Sequence, residues 1–304
     1  MCSSDLSPQA AHDAASAGDT IYIENSAVNY GSFTLTKPLY IFGPGYFLAE
    51  NDSTQANVSS AMVQIVYFNA GSAGSLVSGM VVTDRIDINE SNITVKRNFI
   101  QNSGIRVMNN ASNVMILQNY IYCTYNGSSY NPVKVNTGSS NIFIQNNYLQ
   151  RTITIYDVLN IAGTSSAQIS NNIFYEGSMN VVNSTFSNNI WVGLGTLTES
   201  GNSYNNNLCE GSQFPATNGN QLNVDMTTVF DSTQTSSDAI WKLKAGSPAI
   251  AAGLSGEDCG MFGGLDPYRL SGIPPMPSIF FFQAPSSGSA SSGLPVNIKI
   301  KSNN

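Results

Sequence analysis

Six times between residues 91 and 210 the chain writes nearly the same line. The copies are SNITVKRNFIQ (91–101), SNVMILQNYIY (112–122), SNIFIQNNYLQ (140–150), SAQISNNIFYE (166–176), STFSNNIWVG (184–193) and NSYNNNLCE (202–210). In each, an asparagine stands directly before an apolar residue: Asn98, Asn119, Asn147, Asn172, Asn189 and Asn207, separated by 21, 28, 25, 17 and 18 residues. Gly79, in LVSGMVV, is expected to hold the same place one repeat earlier. Ahead of the anchor, apolar residues alternate, as in Ile93 and Val95, Val114 and Ile116, Ile142 and Ile144. That is the period of a half-buried strand. A second short strand reads GIRVMN, PVKVNT and DVLNIA in three of the copies. No stretch between them has helical periodicity and enough length, so βαβ units are excluded. Strands recurring at this spacing without helices stack in register as the turns of a parallel β-solenoid. Residues 18–264, at roughly 20–25 per turn, would make about 10–12 turns with a length of about 50 Å. Unequal spacings place insertions in loops.

The surface of such a stack must be covered, and composition says by what. The 36 asparagines outnumber the 12 basic and 19 acidic residues together. Asparagine tolerates left-handed backbone and bonds neighbouring backbone at tight turns. Stacked in register, its amides satisfy one another as a ladder. All six anchors are therefore expected to be structural. A net charge of −7 argues against nucleic acid as a general partner. No apolar run approaches the roughly 20 residues of a membrane-spanning helix. Cys2, Cys123, Cys209 and Cys259 lack metal-like CxxC spacing and are expected to be small buried residues.

Both ends need covers. In SPQAAHDAASAGDTIYI, Ser7 is an N-cap, Pro8 opens a helix over 7–17, and Gly18 stops it. Ala10, Ala11, Ala14, Ala15 and Ala17 would form its packing face, leaving His12 exposed. At the other end WKLKAGSPAIAAG and DCGMFGG would close the last turn. Residues 265–304 form a Pro- and Ser-rich β extension with two apolar strands, SIFFFQ and LPVNIKI. It would cover the terminal turn or join a neighbouring chain. Residues 1–6, MCSSDL, resemble the translated end of a common short-read sequencing adapter. They are expected to be a non-native leader, with an export signal lost upstream.

The N-terminal AHDAASAGDTIYI, followed by KPLYIFGPG, resembles the first turn of right-handed parallel β-helix proteins of the pectate-lyase-like class. WKLKAGSPAIAAG with DCGMFGG resembles the closing turn of secreted bacterial β-helix proteins, including the choice-of-anchor Q type. The resemblance implies an all-β, single-stranded right-handed parallel β-helix, located outside the cell or on its surface. It does not imply one activity, because this fold hosts many.

Candidate chemistry lies where the copies differ. Aligning the second strands places Asp87, Arg106 and Lys134 at similar outward positions, with Leu159 next and Arg85, Lys96, Arg97, Arg151 and Asp157 nearby. A lyase acting on an acidic polysaccharide needs a cation for the uronate carboxylate and a base for the α-proton. Arg106 and Lys134 are the candidate catalytic pair. The competing reading is a solvated face whose charges balance across strands. Asp87, Tyr122, Tyr125, Tyr130, Arg151 and Tyr156 are candidate substrate contacts, several of them around the longest insertion, CTYNGSSYNP. Tyr120 and Tyr148, beside the anchors, would stack at a corner. No Asp-Asp pair suits a glycosidase. The Gly-His-Gly motif of the pectin-hydrolase branch is missing, His12 being the one histidine. Asp84, Asp87 and Glu90 are the only carboxylates placed to hold calcium, and no cofactor is expected. The expected function is a secreted or cell-surface protein that is structural or contacts a polysaccharide; the alternative is a lyase-like enzyme on an acidic polysaccharide.

Overall fold

The computed structural model describes residues 7–153, 155–289, 291 and 293–303; the expected leader, with Cys2, lies outside them. Among the described residues the chain is all-β apart from one helix and four short 3-10 turns, and most of its strands form large parallel sheets. A nine-stranded sheet contains the first strand of each repeat, such as Ile93–Lys96, Val114–Leu117 and Ile142–Gln145. Val114 pairs in register with Ile93 on one side and Ile142 on the other. A fourteen-stranded sheet contains the remaining parallel strands. Its two halves are joined by the long strands Met62–Phe68 and Val81–Ile88. The near half follows the anchors: Phe99–Gln101, Tyr120–Cys123, Tyr148–Arg151, Ile173–Tyr175, Ile190–Val192 and Leu208–Cys209. The far half comprises Gly104–Val107, Val133–Val135, Asp157–Ile161, Ser178–Val182 and Leu197–Ser200. Inward residues of all three rows, including Val95, Ile100, Ile105, Ile116, Ile121 and Val133, form one fully buried core.

The asparagine ladder runs beside this core. The Oδ1 of Asn119 accepts from the backbone N and Nδ2 of Asn98 at 3.0 and 3.2 Å. The same pair of bonds recurs from Asn119 to Asn147, Asn147 to Asn172, Asn172 to Asn189 and Asn189 to Asn207. Asn220, which the repeat alignment did not include, ends the ladder below Asn207. Each Nδ2 also donates to a strand carbonyl, as from Asn147 to Ile116 at 2.8 Å. A buried primary amide would otherwise cost several kcal/mol.

Three expectations are corrected. The left-handed residue is not the anchor but the one before it: Arg97, Gln118, Asn146, Asn171, Asn188 and Asn206 all have φ between 54° and 58°. Gly79 (φ 77°) matches Arg97, so Met80 stands in the anchor's place and bonds Asn98 Oδ1. The helix is Pro8–Ala14, and His12 on it is buried, with Pro8 one turn earlier on the same face. Its Nε2 accepts from the Thr36 backbone at 3.1 Å, and its Nδ1 lies 2.8 Å from Asp13. Ala14 and Ala17 face solvent instead.

The third correction concerns the C-terminal part. The parallel strands end at Cys209 rather than near residue 264. Residues 252–274 run back along the outside of the repeats. The left-handed residues hold this strap with their side chains. Asn206 donates to the Ala252 carbonyl, Asn188 accepts from Leu254 N, and Asn171 donates to Asp258 O. Asn146 donates to Met261 O and Gly263 O, Gln118 to Asp266 O and Pro267 O, and Arg97 to Ile273 O. One residue of each doublet thus builds the ladder while its neighbour grips the strap. Beyond it, Ser278–Gln283 and Asn297–Lys301 form a two-stranded antiparallel sheet. This hairpin is tied to the loop at Thr54 and Ala56, near the N-terminal repeats.

Candidate functional site

The far half of the fourteen-stranded sheet turns a column of side chains outward. Register places Tyr67, Asp87, Arg106 and Lys134 side by side on successive strands. The next member is Asn160, not Leu159. The pairing shifts register between Asp157 and Leu159, where the extra residue of a bulge turns Leu159 into the core.

Asp87 is the centre of this face and is buried. Its carboxylate accepts from Arg106 Nε and Nη2, both at 2.6 Å, and from Arg85 Nε at 3.0 Å. Arg85 also donates to Asp84 at 2.8 Å and to the Tyr67 hydroxyl at 3.2 Å. The Tyr130 ring lies over both guanidiniums, 4.7 Å from Arg106 and 5.7 Å from Arg85. Tyr125 meets Tyr130 edge-on at 4.7 Å. The insertion 124–131 therefore folds down onto the strip. Hydrogen bonding to Asp87 holds the Arg106 guanidinium above its ordinary value against the opposing effect of burial. Arg106 is fixed as a cation and its bidentate fork is already used.

Lys134 differs. Its Nζ reaches only the Ser129 carbonyl, at 3.4 Å, and it forms no salt bridge among the described residues. It is the cation of this column that stays available to a ligand.

Other candidates go elsewhere. Arg151 is wholly buried, its guanidinium donating to Gly127 O, Tyr130 O and Cys123 Sγ at 2.7, 2.9 and 2.6 Å. Tyr156 lies against that guanidinium, 5.0 Å away. Arg151 thus braces the insertion from beneath and presents nothing to a polymer, while half-buried Tyr156 packs on its guanidinium. Tyr122 belongs to the near half and packs at the margin of a second apolar cluster. Lys96 bonds Asp266 at 2.6 Å and Arg97 bonds the strap, so both leave the strip. Tyr120 and Tyr148 do stack, at 4.4 Å. Asp84, Asp87 and Glu90 do not converge: Asp84 turns to Arg85 and Asn102, and Glu90 to the backbone of Gly71 and Ser91. Among the described residues no three His, Cys, Asp or Glu side chains gather as a metal site. Cys123, Cys209 and Cys259 are buried and unpaired, and burial pushes the Cys259 thiol up to about 12. Among the described residues no helix is long and apolar enough to cross a membrane.

The sequence reading named Arg85 only as a neighbour and omitted Tyr67. The alternation in MVQIVYF, one repeat ahead of VTDRIDI, carried the signal for both. Compared with protein-family models and with curated proteins, the chain matches none.

Proposed function

We propose that this chain is a right-handed parallel β-helix, standing outside the cell or on its surface, which contacts acidic glycans without cleaving them. Parallel pairing of residues 17 to 28 apart, repeated down both sheets, supports the coil. Its hand follows from the strong preference of parallel strand crossovers. The observation that carries the functional reading is the Asp87 cluster. Lyase chemistry needs a free cation facing the uronate and a free base beside it. Here the Arg106 fork is consumed by Asp87, and Asp87 is itself held by two arginines. What remains is a rigid ledge of guanidinium and tyrosine faces with one free ammonium, Lys134. Such a surface suits carboxylate and sugar-ring contact.

The test is a panel of uronic-acid polysaccharides and neutral controls, read by affinity electrophoresis and by the absorbance of unsaturated product. Retardation by acidic polymers, lowered by salt and without product, is expected. Unsaturated product that disappears in Lys134→Ala would establish the lyase alternative and overturn this reading. So would indifference to every acidic polymer.

A further inference from the structure

A separate cleft of about 470 Å³ opens where three distant parts of the chain meet: the loop at Glu50 to Thr54, residues 234–242, and the strap end with Lys301 of the hairpin. It shares no residue with the Asp87 ledge. Its volume is that of an ordinary small-molecule site.

Its charges are unusual in how they are left. Glu50 and Asp52 line one part of the wall, and Lys242 and Lys301 also reach the cleft. None of the four forms a salt bridge among the described residues. Glu50 uses one oxygen to accept from Ser237 N at 2.7 Å, which leaves the other oxygen free. Asp52, Lys242 and Lys301 have no side-chain hydrogen bond among the described residues, although the charge of Lys242 also acts on Asp231 outside the cleft lining. Two carboxylates and two ammonium groups therefore share one concavity without neutralising one another.

Two further lining residues, Asn51 and Ser236, are braced. Asn51 and Ser236 both donate to Oδ1 of Asp238, at 2.9 and 3.2 Å. Asp238 is wholly buried, and its other oxygen accepts from Ser271 N at 2.7 Å and the Tyr268 hydroxyl at 3.2 Å. Asn51 also donates to Ser271 Oγ at 3.0 Å. The rotamers of Asn51 and Ser236 are thus set before any ligand arrives, which lowers the entropy lost on binding. Leu270 and Ile273 add an apolar wall.

We propose that this cleft binds a small zwitterion of amino-acid to short-peptide size. Its carboxylate would meet Lys242 and Lys301, its ammonium Glu50 and Asp52, and an aliphatic side chain Leu270 and Ile273. A purely anionic ligand would leave the two acids facing it, and a purely cationic one the two lysines; opposed like charges select against both.

The experiment is calorimetric or NMR titration of the full chain with free amino acids and dipeptides, beside N-acetylated and C-amidated forms of the same molecules. Binding of at least one free zwitterion is expected, with about a tenfold or greater loss when either end is capped. Lys242→Gln and Asp52→Asn should each weaken it by about tenfold with an unchanged melting curve. Asp52 is exposed and Lys242 half-buried, so the melting curve of each variant is what separates loss of binding from loss of fold. Failure of every free zwitterion to bind overturns the proposal. Capped ligands binding as tightly as free ones, or variants binding as tightly as the parent, would overturn it too.

Discussion

The two halves of the fourteen-stranded sheet share one interior and differ outside. In the near half the outward residues beside the anchors include Tyr120, Tyr148, Ile173, Ile190 and Leu208, all buried in a second apolar cluster separate from the main core, with Phe99, Tyr122 and Tyr175 half-buried against it. Residues 229–268 cover them: Trp241 lies 4.7 Å from the Tyr148 ring and 5.3 Å from Tyr175, with Phe230 behind it at 5.2 Å. In the far half the corresponding positions carry Asp87, Arg106, Lys134 and Asn160, and the insertion 124–131 meets this column through Tyr130 over Arg106 and the Ser129 carbonyl at Lys134. The same backbone, stacked at the same spacing, thus presents a dry face and a wet one. What differs is whether later chain returns to cover it. The covered half is where stability is concentrated, and the open half is where a ligand can meet the protein.

The largest effect should come from uncovering the near half. Trp241→Ala removes the ring that fills the space over Tyr148 and Tyr175. A large-to-small change at such a site costs about 3–5 kcal/mol, read as a shift in the urea midpoint at unchanged slope. If the cover were loosely apposed, the loss would be within about 0.5 kcal/mol, the usual range of a surface change. The open half should respond less. Arg106→Ala leaves Asp87 with Arg85 as its remaining cation. Losing the charge-assisted bonds between buried Asp87 and partly exposed Arg106 costs about 1.5–3 kcal/mol. A loss as large as that of Trp241 would mean that this face too is structural.

The strap supplies a smaller, pH-dependent effect. Burial raises the Asp266 carboxyl, but the hydrogen bond and charge of Lys96, with Gln118, outweigh it and leave a net depression. A folded value below the unfolded one, about 3.9, means that the contribution is present above that pH and is lost as pH falls through the folded value. Asp266 is partly exposed, so the pair contributes under about 1 kcal/mol. Lys96→Met should lower stability by under about 1 kcal/mol at neutrality, make no difference in strong acid where Asp266 is protonated, and so flatten the fall in stability below about pH 4. A curve that keeps its full acid slope would remove Lys96 from this role.

The contrast between the halves is written in the copies, though at a different grain in each. Far-half strands alternate, as in IRV and VKV, and alternation marks one wet side. Near-half strands carry two apolar residues in succession after the anchor: Tyr120-Ile121, Tyr148-Leu149, Ile173-Phe174, Ile190-Trp191 and Leu208-Cys209. Successive apolar residues in a strand mean that both faces are dry, so the existence of a cover was legible. Its identity was not. Residues 224–274 have no strand or helix period, because their task is to lie on a preformed surface. The ladder was legible because each anchor repeats the same amide. Its neighbours Arg97, Gln118 and Asn146 vary, since each meets a different part of the strap. The pairing of Asp87 with Arg106 was expected in outline from cross-strand alignment. Arg151 was misplaced because its inward turn depends on the insertion it braces, and no periodicity describes a loop.

The smallest change in stability should accompany the largest change in binding. Lys134 sits beside Arg106 in register yet holds only a carbonyl at 3.4 Å. An exposed contact of that kind contributes little, so Lys134→Ala should move the melting midpoint by less than a degree or two, as expected for a change within about 0.5 kcal/mol. As the one unpaired cation of the column, it should account for a disproportionate share of the attraction to an acidic polymer. Retardation in the affinity gel should fall several-fold, and the salt dependence of what remains should become shallower. Arg106→Ala provides the control, because it destabilises the ledge while leaving Lys134 in place. If both variants lost binding in proportion to their stability, the open face would be only a solvated surface. Loss of binding in Lys134→Ala without loss of stability separates contact from architecture on this sheet.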